Sequence, residues 1–250
     1  MKYKITSMIL LIVCACTVLA QQPGTDPGIE QLKKMNDQYK KCSYLQFDMD
    51  FRYSTESAPD KYLDSMKGVA KISGNHYSYI LGNTELIKTE EYLVSIFSEE
   101  KIMQLVKLRR SDSSSPMDAN GINTTLINAL DSMQQRKLVT ITSTEVSGLV
   151  KITVQFSDHP SWKSVEYVIR KSDGFLDRTV IIAKMEEMLG PGLQEMELVD
   201  GYAIIETIFS NYSSQSPDTA SLQGSRYFTR NGDQFEPADT YKEYRIMVVQ

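Results

Sequence analysis

The chain has 250 residues, 27 Lys and Arg against 32 Asp and Glu, a formal charge of −5, and 41% hydrophobic residues. An acidic balance without a basic stripe excludes nucleic acid and anionic lipid headgroups as main partners. Three cysteines do not make a disulfide framework at this length, so an apolar core must hold the fold.

Lys2 and Lys4 precede a largely apolar stretch from Ile5 to Leu19, and Val18-Leu19-Ala20 then meets Gln21-Gln22. This is the plan of a secretory signal peptide over 1–20, cut after Ala20, and it predicts export to the periplasm. A second reading takes Val13-Cys14-Ala15-Cys16 as a lipoprotein box, with Cys16 as the lipidated residue. Cleavage after Ala20 removes two lysines and leaves 25 bases against 32 acids, a charge of −7, with Cys42 as the remaining cysteine. No later stretch is apolar for about eighteen residues, so the mature chain is expected to be soluble.

Residues 21–250 are expected to form one mainly β (α+β) domain, with a C-terminal extension from about 226. Ile29, Leu32, Met35, Tyr39 and Cys42 recur at helical spacing behind Asp26-Pro27 and predict a first helix. The helix runs into Tyr44–Ser54, where Leu45, Phe47, Met49, Phe51 and Tyr53 alternate with Gln46, Asp48, Asp50, Arg52 and Ser54. A period of two places these sets on opposite faces of a sheet.

Strand patterns follow over Tyr62–Ser73, His76–Leu81, Glu85–Thr89, Tyr92–Phe97 and Lys101–Leu108, separated by turns at Gly74-Asn75, Gly82-Asn83 and Ser98-Glu99-Glu100. Arg109 to Gly121 reads as a loop. Ile122, Leu126, Ile127, Leu130 and Met133 predict a second helix. Five more strands are predicted over Lys137–Val146, Leu149–Phe156, Lys163–Arg170, Phe175–Met185 and Tyr202–Tyr212, with a hairpin turn at Asp173-Gly174. Glu186 to Asp200 and Ser213 to Ser225 read as irregular. The aromatic tail Tyr227–Val249 is expected to pack back onto the sheet. The total is about eleven strands and two helices.

Enzyme signatures are missing from the sequence. There is no nucleophile elbow, phosphate loop or dinucleotide fingerprint, and His76 and His159 show no metal-ligand spacing. A Cys42 nucleophile with His76 as base is weighed against a Cys42 that merely fills the apolar face of the first helix, and the packing role is preferred. No enzyme, cofactor or metal is expected. Asn123-Thr124-Thr125 and Asn211-Tyr212-Ser213 match the glycosylation tripeptide, which is common by chance.

The remaining signal is the apolar face: Leu45, Phe47, Met49, Phe51, Tyr53, Met66, Ile72, Tyr92, Val94, Ile96, Val180 and Ile182. Adaptable methionines suit a lining that repacks around variable acyl chains, and they equally suit a closed core. Periodicity leaves both readings open and favours the closed core.

From Leu32 to Leu108 the sequence resembles the LolA/LolB-like lipoprotein carriers of the Gram-negative envelope. The resemblance lies in Leu32 to Tyr44 as first helix and exit, Ser43-Tyr44-Leu45-Gln46-Phe47 as opening strand, the Gly-led strand Lys67-Gly68-Val69-Ala70-Lys71-Ile72, and the hairpin region Glu90 to Phe97. Val168 to Ile182 around Asp173-Gly174 is similar to a later part of the family pattern. Glu90-Glu91 stands where that family usually has Asp-Gly, and the only tryptophan is Trp162. Tail-bearing chains of this kind also look like Bacteroidota-type envelope proteins. The resemblance implies a single curved antiparallel sheet forming an unclosed half-barrel capped by helices, with an apolar cavity for lipid or lipoprotein acyl chains. A monomeric periplasmic carrier is one implied role. An envelope module that binds a protein partner, through the strand faces and the aromatic tail, is the other.

Overall fold

The computed structural model describes residues 26–108, 124–185, 201–215, 222–232 and 234–249. The predicted signal peptide, the Cys16 alternative and the 186–200 excursion lie outside them. No helix among the described residues is long and apolar enough to cross a membrane.

Helix α1 (Pro27–Lys40) starts where the Asp26 carboxylate accepts a 2.7 Å hydrogen bond from the Gly28 amide and Pro27 supplies a preset φ. It leads into β1 (Tyr44–Thr55), β2 (Asp64–Ser73), β3 (His76–Leu81), β4 (Thr84–Lys88), β5 (Tyr92–Phe97) and β6 (Ile102–Lys107). Helix α2 (Thr124–Gln135) is followed by β7 (Val139–Val146), β8 (Leu149–Phe156), β9 (Trp162–Arg170), β10 (Leu176–Lys184) and β11 (Tyr202–Ser213). The tail adds β12 (Phe228–Asn231), β13 (Gln234–Pro237) and β14 (Arg245–Val249). Gly82 and Gly174, at φ +55° and +76°, supply the left-handed residues that two of the predicted tight turns require.

Each half of the chain is an antiparallel meander. The two join where β1 pairs with β11, with Met49 opposite Phe209 and Tyr53 opposite Ile205. The result is one curved sheet in the order β14-β6-β5-β4-β3-β2-β1-β11-β10-β9-β8-β7. Its ends, β14 and β7, do not pair, so the half-barrel stays open. The expected count of about eleven strands becomes twelve, with a separate β12-β13 hairpin. The twelfth strand comes from the tail: β14 runs parallel to β6, with Met247 opposite Gln104. A parallel partner so distant in sequence leaves no local turn signal.

Pairing register fixes which side chains share a face, because directly opposed residues point the same way. One face, here the inner one, carries Leu45, Phe47 and Met49 from β1, Ala70 and Ile72 from β2, and Val165, Tyr167 and Ile169 from β9. Ile29, Leu32, Met35 and Tyr39 of α1, with Ile127 and Leu130 of α2, close over it. The other face is buried elsewhere. Ile87, Tyr92, Val94, Ile96, Met103 and Leu105 on β4–β6 form a second cluster with Tyr227 and Phe228 of the tail. The aromatic tail therefore packs back onto the sheet, on the outer face.

Candidate functional site: an apolar cleft under the second helix

The twelve residues singled out from the sequence do not share one lining. Leu45, Phe47, Met49 and Ile72 lie in the closed inner core, all at most 7% exposed, and Phe51 packs half-buried against them. Tyr53 and Met66 continue that face toward the ends of the strands, Met66 opposite Phe51. Met66 is largely exposed, and the Tyr53 hydroxyl is buried with no hydrogen-bond partner.

Tyr92, Val94 and Ile96 sit on the outer face beneath the tail. The pairs run from Gly68 opposite Leu81 to Leu81 opposite Thr84 and Thr84 opposite Phe97, so the odd-numbered residues of β5 face inward. Val180 and Ile182 are also outward: they oppose Glu166 and Ser164, while Thr179 and Ile181 oppose Tyr167 and Val165. The register shift between Leu176 and Arg178 sets that parity.

What the inner face does offer is a cleft of about 380 Å³ between α2 and strands β8–β10. Leu126, Leu130 and Met133 form its helical wall, Val154, Phe156, Val165, Tyr167 and Ile181 its floor, and His159 and Trp162 its mouth. The volume lies within the range of small-molecule sites. Its wall follows from helix periodicity: residues 126, 130 and 133 fall on one stripe, and only Ile127 and Leu130 of α2 are fully buried. The helix therefore leaves part of its apolar stripe facing open space. The floor follows from the alternation Val165, Tyr167, Ile169 on β9.

The polar groups of the cleft are few and fixed. Burial pushes the Tyr167 phenol up to about 12, so it stays neutral at physiological pH. The His159 Nδ1 accepts hydrogen bonds from the backbone amides of Ser161 and Trp162 at 3.2 and 3.1 Å. An accepting Nδ1 leaves the proton of a neutral ring on Nε2. The ring also meets Phe156 edge-on at 5.4 Å. Two strands across from Ile181 on the same face stands Tyr53, through the row Tyr53, Ile205, Ile181. Its unpaired hydroxyl is a free polar group at the edge of an apolar field.

Cys42 is half-buried against the inner core, and its Sγ lies 3.7 Å from the Gln38 carbonyl. Burial raises its pKa, which holds the thiol protonated, the opposite of what an activated nucleophile needs. His76 lies at the start of β3 and lines a different, open hollow of about 800 Å³ beside the tail, with Glu90, Glu91 and Arg230. Among the described residues, no three His, Cys, Asp or Glu side chains gather closely enough to hold a metal.

No protein-family model matches the sequence, and no curated protein is similar to it. Solved structures with a related course include an uncharacterised conserved protein of Thermus thermophilus, at 8% identity and TM-score 0.46, covering 90% of this chain and 100% of that one. A LolA superfamily protein of Nitrosomonas europaea is 10% identical with TM-score 0.35, covering 78% of this chain and 96% of that one. The lipoprotein LppX of Mycobacterium tuberculosis is 11% identical with TM-score 0.36, covering 76% and 97%. Similarities of this size concern the fold alone, and the chain's ligand chemistry rests on its own side chains.

Proposed function

We propose that this protein is a periplasmic carrier that holds the acyl chain of a lipid or lipoprotein in the cleft between α2 and β8–β10. The observation that supports it best is the cleft itself, where Leu126, Met133, Phe156, Val165 and Ile181 surround about 380 Å³ with apolar surface. Each buried methylene contributes roughly 0.8 kcal/mol, so a partly inserted chain reaches useful affinity without any covalent step. The Tyr167 phenol in the cleft and, two strands away, the unpaired Tyr53 hydroxyl suit a ligand whose polar end accepts a hydrogen bond.

A fluorescent fatty acid titrated below its micelle concentration tests this. The wild type is expected to bind saturably, and Ile181→Asp, which places a carboxylate on the cleft floor, to bind at least tenfold more weakly. Saturable binding that Ile181→Asp leaves unchanged moves the ligand out of this cleft. No binding by the folded wild type ends the carrier reading.

A further inference from the structure

We propose that the strand ends around the mouth of the cleft form a docking rim that seats the protein on a zwitterionic phospholipid bilayer. This deepens the carrier reading and rests on it.

Ten large hydrophobic residues are exposed among the described residues, and five of them, Tyr62, Leu63, Met66, Leu138 and Trp162, belong to one end of the half-barrel. Three of the other five are consecutive on edge strand β14, Ile80 is within β3, and Val146 is at the opposite end. Isolated exposed apolar residues are ordinary, but a group at one end marks an interaction surface.

Backbone hydrogen bonds lace the loops of this end together. Ser157 N donates to Leu138 O at 2.9 Å, Lys184 N to Ser161 O at 2.8 Å, Glu56 N to Tyr202 O at 2.9 Å, and Leu63 N to Tyr53 O at 2.7 Å. Lys163 bridges the loops further, with its ammonium paired to Glu56 and set over the Tyr202 ring. Among the described residues, the β1–β2, α2–β7 and β8–β9 connections thus lie along one border, with the ends of β10 and β11 between them. Leu63, 56% exposed, stands at one side of it and Trp162 at the other.

Two features assign a bilayer to this border. Trp162 belongs both to the rim and to the cleft, so the rim opens directly into the apolar site. Tyr62 and Trp162 also carry the polar-tipped rings that settle at the depth of lipid headgroups. Among the described residues the charges around them nearly balance: Arg52, Lys61, Arg136, Lys137, Lys163 and Lys184 against Glu56, Asp60, Asp64, Asp158 and Glu206. A border of mixed, nearly cancelling charges matches a headgroup layer of zero net charge and gains little from an anionic one.

Trp162 is the only tryptophan in the chain, so its emission reports the rim without labelling. The mature chain, residues 21–250, is mixed with phosphatidylcholine vesicles and followed by flotation and by Trp162 emission. The wild type is expected to float with the vesicles and its emission to shift to the blue. Leu63→Glu and, independently, Leu138→Glu are expected to lose at least tenfold in vesicle association while keeping the wild-type fatty-acid titration. Val146→Glu, at the opposite end, is expected to float like the wild type. Flotation unchanged in both rim variants overturns the rim, as does a wild type that binds fatty acid and never floats. Flotation that depends on Leu63, in a protein that binds no fatty acid, keeps the rim and removes the carrier.

Discussion

On the inner face of the sheet, two helices cover β1, β2 and β7–β10 and leave a gap between α2 and β8–β10. On the outer face, β4–β6 are covered by the tail, where Tyr227 is wholly buried and its hydroxyl donates to Glu85 at 3.0 Å. Tyr92 there meets the rings of Phe228 and Phe235 edge-on at 5.6 and 5.5 Å. The outer contact is aromatic and reinforced by a strand, since β14 adds main-chain bonds to β6. The inner contact at α2 is a helix stripe with few buried residues. The proposed carrier would need one face that stays shut and one with room for a chain, and the tail and α2 are the elements that would supply them.

Removing the tail is the strongest test of that division. Ile87, Val94, Ile96, Met103 and Leu105 are at most 1% exposed beneath it. At about 1.5–3 kcal/mol per buried side chain, uncovering them costs on the order of 10 kcal/mol, comparable to the whole stability of a domain. A chain ending at residue 221 is expected to lose its cooperative melting transition by circular dichroism. A truncated protein that still melts cooperatively near the wild-type temperature would make the tail a detachable module and revive the protein-partner reading.

Most strand bounds were legible because alternation and turn residues are local signals. The assignment of faces was not. β1 alternates cleanly, so Leu45, Phe47 and Met49 fall together on the inner face. β5, with Tyr92-Leu93-Val94-Ser95-Ile96-Phe97, is apolar at both parities, and only pairing and the distant tail decide which set is buried deepest. β10 carries Val180-Ile181-Ile182, where alternation is silent and the shift near Leu176 chooses Ile181. The cleft was half-visible: the stripe Leu126, Leu130, Met133 announced an apolar helix face, but its partner strands are a tertiary fact. In the tail, β12 and β13, which meet next to Gly232 at φ +64°, were not among the predicted strands.

The closed and open parts of the inner face can be separated by a pair of truncations. Phe47 is fully buried, stacked on Tyr212 at 5.0 Å and edge-on to Phe209 at 5.8 Å. Phe47→Ala is expected to cost about 3–5 kcal/mol, because a close-packed site cannot refill the void. Ile181 already borders open space, so Ile181→Ala is expected to cost about 1 kcal/mol and to weaken fatty-acid binding several-fold. Denaturant midpoints measure both. Equal losses would mean that the cleft is as tightly packed as the core, and the separation between the two regions would fail.

The smallest effect asks whether the two faces unfold as one. Burial raises the pKa of Tyr39 on the inner face, and of Tyr212, whose hydroxyl lies 2.7 Å from that of Tyr39; Arg170 offsets and Asp173 adds to the rise in both. On the outer face burial, then the Glu85 carboxylate, raises Tyr227, with Arg226 opposing and Tyr241 adding. A folded pKa above the unfolded value of about 10 means that the unfolded chain releases protons first. Stability is therefore intact below pH 10 and declines above it, by up to about 1.4 kcal/mol per pH unit for each such tyrosine. Tyr39→Phe and Tyr227→Phe are each expected to reduce the slope of stability against pH above 10 by up to one proton's worth, read from urea midpoints between pH 9 and 11. A slope reduced by Tyr39→Phe but unchanged by Tyr227→Phe would show the tail lifting off before the helices do. Equal reductions would bind both faces of the sheet into a single cooperative unit.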